Sequence, residues 1–369
     1  QGNRLWFVTN RFDVVCLDAA GHTSGPDAGK AREIWRMDMY DKLGVFPCDA
    51  ANGSPVLDGD LLYVETSNGV DRNSFQDPSR EKNRKVPAPN APNLIVLDTR
   101  TGRLVATDDT RISEDLLHGQ WSAPSLGTVN GWTLVFYGGG DGVCYAFEAL
   151  AAVPQTPVRL KTVWHYDCIP PEYKGNDGLD PVTRYCLGDK RVRGSWNKHD
   201  GKFVGKSEII GTPVFVNNRV YVAIGRDPEH GRGRGAMHCI DATQTGDITT
   251  SGKIWTYQGL DRTLCTASVC GGLVYISDVG GRLHCLDADT GHCYWVHDTH
   301  CEIWGSTLVA DGKVYMPTSK GLWVLATGRE LKVLGRVNVG AKILASPVVA
   351  NGTLYVASTG GWLWAVGRP

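Results

Sequence analysis

The sequence predicts an all-β propeller of four-stranded antiparallel blades, and three observations carry that prediction. A unit of about forty residues recurs along the chain. Within it, short apolar runs alternate with Gly-bearing turns, as strands joined by tight hairpins require. The third observation is spacing: Tyr275, Tyr315 and Tyr355 fall forty residues apart each time, the length of one blade.

Each unit opens with Ser/Thr-Pro before a short apolar strand, as at Ser54-Pro55-Val56-Leu57, Thr212-Pro213-Val214-Phe215 and Ser346-Pro347-Val348-Val349. A tight turn, commonly Asn/Asp-Gly, then leads into a strand carrying Tyr63, Tyr221 or Tyr355. The second half is a strand ending in Asp, a Thr-Gly turn and a strand bearing Trp. Its fullest copy runs from Cys285 to Trp295, with Asp287, Thr290 and Gly291 between them. Asp18, Asp98, Glu148 and Asp241 hold the turn position in other copies, and Trp35, Trp164 and Trp255 the Trp position. Gly supplies the positive φ of such a turn, and Asp and Thr bond its free backbone groups. The Trp side chains are predicted to plug the gaps between blades, and the Asp side chains to be structural.

Inner-strand signals near Ser54, Ser122, Thr212, Ala267, Ser306 and Ser346, with an opening unit that lacks one, give seven repeats in a single domain spanning residues 1–369. The first blade is expected to lack its inner strand, and the last, ending at Trp362-Leu363-Trp364-Ala365-Val366, its outer one. Net charge is -1 with a pI near 6.8, which leaves no positive field for nucleic acid or an anionic membrane surface. Apolar runs are only a few residues long, so no transmembrane segment is expected. Eleven cysteines make an odd number. Cys285 with Cys293, across a hairpin, and Cys168 with Cys186, around a long loop, are the candidate disulfides, while Cys16 and Cys239 are read as buried thiols.

The pattern D-x-x-T-G-x-x-x-W in forty-residue units resembles the PQQ-repeat, or quinoprotein alcohol dehydrogenase-like, propeller family. His118-Gly119-Gln120-Trp121-Ser122, Gly139-Gly140-Asp141-Gly142, Asp227-Pro228-Glu229-His230-Gly231 and Trp304-Gly305-Ser306 are similar to the exported bacterial PQQ-binding-like repeat proteins. That resemblance implies a periplasmic, extracellular or cell-envelope location. It also implies eight blades, with upstream residues completing the ring; a closed seven-bladed ring is the other possibility. A dehydrogenase of this kind would hold PQQ and Ca2+ and use a catalytic Asp, for which Asp141 or Asp227 would have to serve. No two cysteines are adjacent and no Cys-x-x-Cys-His is present, both of which argue against that activity.

In such a propeller the turns between first and second, and third and fourth, strands of each blade share one face, expected here to be uniformly short. The other connections share the opposite face and take the insertions, at 67–92, 109–120, 168–210, 225–236 and 297–304. Loops on a rigid scaffold are the usual place for binding. The candidate ligand-binding residues on this loop face are His118, Gln120, Trp121, Asp141, Arg226, Asp227, His230 and Trp304. Trp121 and Trp304 could stack a planar or sugar-like ligand. His297, His300, Cys301 and Glu302 lie within six residues but match no standard metal-site spacing, so no metal is expected. The favoured reading is a non-catalytic exported propeller that binds a small molecule, glycan or envelope protein with this face. Envelope scaffold or assembly protein is the second reading, and quinoprotein dehydrogenase the third.

Overall fold

The computed structural model describes residues 1–48, 51, 53–71, 86–114, 116, 118–173, 207–225 and 234–367. Among them nearly all regular structure is antiparallel strand, gathered in chain order into seven small sheets. Blade 1 holds three strands, Arg4–Val8, Asp13–Asp18 and Arg32–Asp38. Blade 2 runs Val56–Asp58, Leu61–Glu65, Leu94–Asp98 and Leu104–Thr107, and blade 3 Ser125–Val129, Trp132–Gly138, Val143–Glu148 and Thr162–Asp167. Blades 4, 5 and 6 begin at Val214, Ser268 and Leu308 and have four strands each. Blade 7 has three, Val348–Ala350, Thr353–Ala357 and Leu363–Val366. The sole α-helix among these residues is the short Met39–Leu43, started by the Asp38 side chain and stopped at Gly44 in the left-handed conformation.

Hydroxyls link the Ser/Thr inner-strand entries of blades 4 to 7. The backbone N–H of Thr212 donates to Thr266 Oγ1 at 2.9 Å, that of Thr266 to Ser306 Oγ at 2.8 Å, and that of Ser306 to Ser346 Oγ at 2.9 Å. Blades 4, 5 and 6 thus each borrow a hydroxyl from the next, around the axis where inner strands of neighbouring blades touch.

A second set of bonds joins the blades further out. Trp35 Nε1 donates to Thr99 O, Trp164 to Ala242 O, Trp255 to Ala288 O and Trp295 to Gly328 O, at 3.0 to 3.2 Å. In every case the acceptor sits at the end of the next blade's third strand. Tyr221 OH donates to Ala288 O, and Tyr275 OH receives the N–H of Gly328. Blade 2 has no Trp on its outer strand, and there Tyr63 OH takes the N–H of Leu150 in blade 3. Buried indoles and phenols are stable only when their polar ends find partners, and this register supplies them.

The Thr-Gly glycine does more than turn the chain. Gly102 and Gly291 have φ of 71° and 73°, and a Cβ on either would lie 2.6 to 2.7 Å from the ring of Trp35 or Trp255. Their missing side chains are the seats for the preceding blade's Trp. Asp287 closes its turn by accepting the N–H groups of Asp289 and Thr290 and the hydroxyls of Thr290 and Tyr294. These bonds hold its carboxyl below the usual range, the Tyr294 hydroxyl contributing most.

Two expectations are corrected. The connections between third and fourth strands are not uniformly short, spanning 19–31 in blade 1, 149–161 in blade 3 and 242–252 in blade 4. The last two reach back: Val158–Arg159 and Gly246–Asp247 lie parallel on the outer strand of the preceding blade, making blades 2 and 3 five-stranded. Cys285 and Cys293 are separate thiols. A register shift places Cys293 opposite Leu286 and Trp295 opposite Cys285, so the Cys285 thiol turns to Gly328 O of blade 6 while Cys293 reaches Tyr257 of blade 4. Cys168 is a buried thiol, and Cys186 lies outside the described residues.

Candidate functional site

The loop face gathers His118, Gln120, Trp121 and Asp141 into one corner between blades 2 and 3. Gly140 makes this possible, for a Cβ there would lie 2.4 Å from Gly119 O and 3.1 Å from the Gln120 side chain. The His118 ring meets Trp121 edge to face, centroids 4.7 Å apart. His118 and Gln120 are fully buried, and Trp121 is half-buried.

Gln120 is the hub of a buried polar network. Its Nε2 donates to Asn93 Oδ1 at 2.6 Å and Asn68 O at 3.1 Å, and its Oε1 accepts Tyr137 OH at 3.0 Å. Ser113 Oγ donates to Asn93 Oδ1, and Asn68 Nδ2 to Ser113 Oγ and Ala88 O. Asp108 takes the N–H groups of Asn93 and Leu94 and the hydroxyl of Thr110. Glu65, at the end of an apolar strand, accepts the N–H and hydroxyl of Ser67. Burial pushes its carboxyl up to about 7 against those bonds.

Asp141 occupies the turn between the second and third strands of blade 3, accepting Val143 N–H at 3.1 Å and Tyr145 OH at 2.6 Å. Desolvation pushes its carboxyl up to about 6. A proton held near neutrality would suit acid-base work, but the donors that face this carboxyl belong to its own turn and strand. Glu65, Asn68, Asn93, Asp108 and Tyr137 were not picked out from sequence. The polar run Glu65-Thr66-Ser67-Asn68 directly after a fully apolar strand was the signal available.

Trp304 enters blade 6, three blades further round, and is half-buried. Arg226, Asp227 and His230 lie outside the described residues. The His297, His300, Cys301 and Glu302 stretch does not converge. His297 packs edge-on against Trp323 of blade 6, His300 faces Asp298, the buried Cys301 thiol donates to Thr299 O, and Glu302 points to solvent. Among the described residues no three metal-ligating side chains form a group.

A second polar cluster is buried between blades 4 and 5. His284 Nε2 lies 3.1 Å from Asp278 Oδ2, Arg282 Nη2 lies 3.0 Å from the same oxygen, and Tyr257 OH is 3.0 Å from His284 Nδ1. Burial works to raise the Asp278 carboxyl, yet His284 and Arg282 hold it below its usual range. One junction back, between blades 3 and 4, the fully buried His238 packs against Tyr166 and is pushed down to about 4 by desolvation. It is held neutral as a packing element.

The turn face carries an open cleft between blades 3 and 4, of about 240 Å³. Blade 3 contributes Val129, Trp132, Leu134 and Val163 together with the Glu148–Lys161 ion pair, and blade 4 the residues Ala242 to Thr245. Trp132 stands 65% exposed because the inner hairpin of blade 3 is longer than the others. Its strands have five and seven residues, where every other inner strand has three.

Seven sheets of repeated strand-turn chemistry, four of their junctions bridged by Trp-to-carbonyl bonds, make the chain a β-propeller. Residues 247–334 match the family model described as outer membrane protein assembly factor BamB. Over its whole length the chain is similar in fold to BamB from Moraxella catarrhalis, with a TM-score of 0.61 at 15% identity, covering 98% of this chain and 81% of that one. It is also similar to a chain of the mitotic checkpoint complex (TM-score 0.55, 10% identity, 99% and 89% covered). The computationally designed Ika8 protein is a third likeness (TM-score 0.51, 8% identity, 99% and 94% covered). No curated protein matches in sequence.

Proposed function

We propose that this chain is a non-catalytic scaffold of the cell envelope, a rigid ring that holds partner proteins during assembly. The observation that carries the reading is the pairing of the two likenesses to BamB: one in the sequence of residues 247–334, the other in a fold matched over 98% of the chain. The loop face supports it as well, since Gln120 and Asp141 spend their polar groups on the fold itself. A small molecule or glycan bound at the funnel mouth beside Trp121 and Trp304 is the second reading, motivated by those two half-buried rings. The periplasmic side of an envelope is the matching location.

Affinity capture from detergent-solubilised envelopes, with the tagged chain as bait, tests the scaffold. Recovery of a defined set of outer-membrane or envelope proteins at fixed ratio is expected. No specific partner above a tag-only control would overturn it, and a glycan-array hit abolished by Trp121→Ala would favour the second reading.

The proposal includes an eighth blade between blades 7 and 1, supplied by upstream residues. In support, apolar side chains face out on both sides of that junction, with Leu5 53% and Val348 57% exposed. A chain extended upstream should melt higher than this one, and an unchanged melting curve would count against the added blade.

A further inference from the structure

We propose that the turn-face cleft between blades 3 and 4 docks one uncharged apolar side chain of a partner protein, with Trp132 as the anchor on this side. The inference rests on the scaffold reading and names where the partner sits.

Size is the first argument. At about 240 Å³ the cleft falls below the roughly 300–1,000 Å³ of pockets that enclose a whole drug-sized ligand. It suits a protruding side chain of a larger partner.

Hydrogen-bonding capacity is the second. Thr243 Oγ1 already donates to Asp241 Oδ1. The Gln244 amide donates to Asp241 Oδ2 and Ser251 O, and its oxygen accepts Ser251 Oγ. Lys161 Nζ lies 2.9 Å from Glu148 Oε2. Of the polar lining groups only the Asn130 amide, the Thr245 hydroxyl and the Trp132 indole N–H are open, too few for the many hydroxyls of a sugar, and each buried group left unmade costs about 1–3 kcal/mol. An apolar side chain asks for no such bonds.

Charge is the third. The charged lining groups, Glu148 and Lys161, neutralise one another, so nothing in the cleft balances a charged occupant. Exposed Trp132 beside Val129, Leu134 and Val163, with an ion pair at the edge, has the make-up of an interface: an aromatic anchor on an apolar centre within a polar rim. Among the described residues, the fold gives Trp132 no ring partner and its indole no hydrogen-bond acceptor.

The test uses the whole chain labelled with 15N-Trp, in which Trp132→Phe identifies the Trp132 indole signal. Probes are the capped peptides Ac-Gly-Ser-Phe-Ser-Gly-NH2 and its Ser-for-Phe analogue, and maltose. We expect the Phe peptide to shift the Trp132 signal at millimolar concentration, and neither the Ser peptide nor maltose to do so. Thr245→Arg, which fills the cleft from an exposed position, should abolish the shift while leaving the melting temperature unchanged. No response to the Phe peptide, or an equal response to the Ser peptide or to maltose, would overturn the proposal. In envelope capture, Trp132→Ala and Thr245→Arg should each reduce recovery of the partners at least tenfold. Undiminished recovery by both variants would overturn the cleft while leaving the scaffold standing. Failure of the wild-type chain to capture anything would overturn the scaffold reading, and the cleft then stands or falls on the peptide titration.

Discussion

The two faces of this propeller invert what their loops suggest. The loop face carries insertions and the conspicuous His, Gln, Trp and Asp side chains, but Gln120 and Asp141 bond residues of the fold itself and the His118 ring is buried against Trp121. The turn face mixes short hairpins with three longer third-to-fourth-strand connections, and there an extended hairpin in blade 3 lifts Trp132 into solvent beside an open cleft. Chemical variety in a loop can serve the fold as readily as a ligand, because every buried polar group must be matched. An unspent side chain on the opposite face is the more informative signal.

That contrast can be broken or sharpened by substitution. The largest effect is expected between blades: Trp164→Ala removes a fully buried indole and its bond to Ala242 O, and should cost about 3–5 kcal/mol in denaturant unfolding. Trp295→Ala should behave likewise, and an unchanged melting curve for either would remove the inter-blade role. Next comes the loop face. Gln120→Leu strands Asn68 O and Tyr137 OH and leaves Asn93 Oδ1 with Ser113 Oγ alone, and should cost roughly 2–4 kcal/mol by the same measurement. A neutral result would mean that the network does not stabilise this corner.

A pH series on Asp141→Asn follows. The Asp141 carboxyl is raised to about 6, so the folded chain keeps its proton where the unfolded chain has lost it. The stabilising contribution is therefore full below about pH 4 and lost as pH rises through about 6. Stability of the wild type relative to Asp141→Asn should fall across that window, by on the order of 2–3 kcal/mol, and then level off. A difference independent of pH would show that the site does not hold its proton. The smallest effect is expected on the turn face, where Trp132→Ala should change stability by no more than about 0.5 kcal/mol. A loss of several kcal/mol would make Trp132 part of the core and remove the contrast between the faces.

Much of the fold was legible because its period is written in residues with few substitutes. Gly at a left-handed turn, Asp closing that turn and Trp bridging to the next blade each answer a local need, so they repeat visibly. The donor-acceptor partners were not legible. Nothing in the sequence says that Trp35 ends on Thr99 O, or that Gly102 is small because Trp35 lies against it. The failed Cys285–Cys293 bridge has the same origin, since a one-residue bulge sends two sulfurs to opposite sides of a sheet. The cleft was hidden for a different reason: Trp132 belongs to no motif, and its exposure comes from a hairpin whose inner strand is two residues longer than in the other blades.

The indole bonds all run one way. Trp35, Trp164, Trp255 and Trp295 donate forward, and no described Trp donates back to the blade before it. The ring therefore has a polarity, like tiles that each overlap the next. Damage to the Asp287 turn, which presents Ala288 O, would loosen blade 4 through Trp255 before it loosened blade 6. Hydrogen exchange should accordingly show that a local lesion spreads toward the N-terminus and spares the blades that follow.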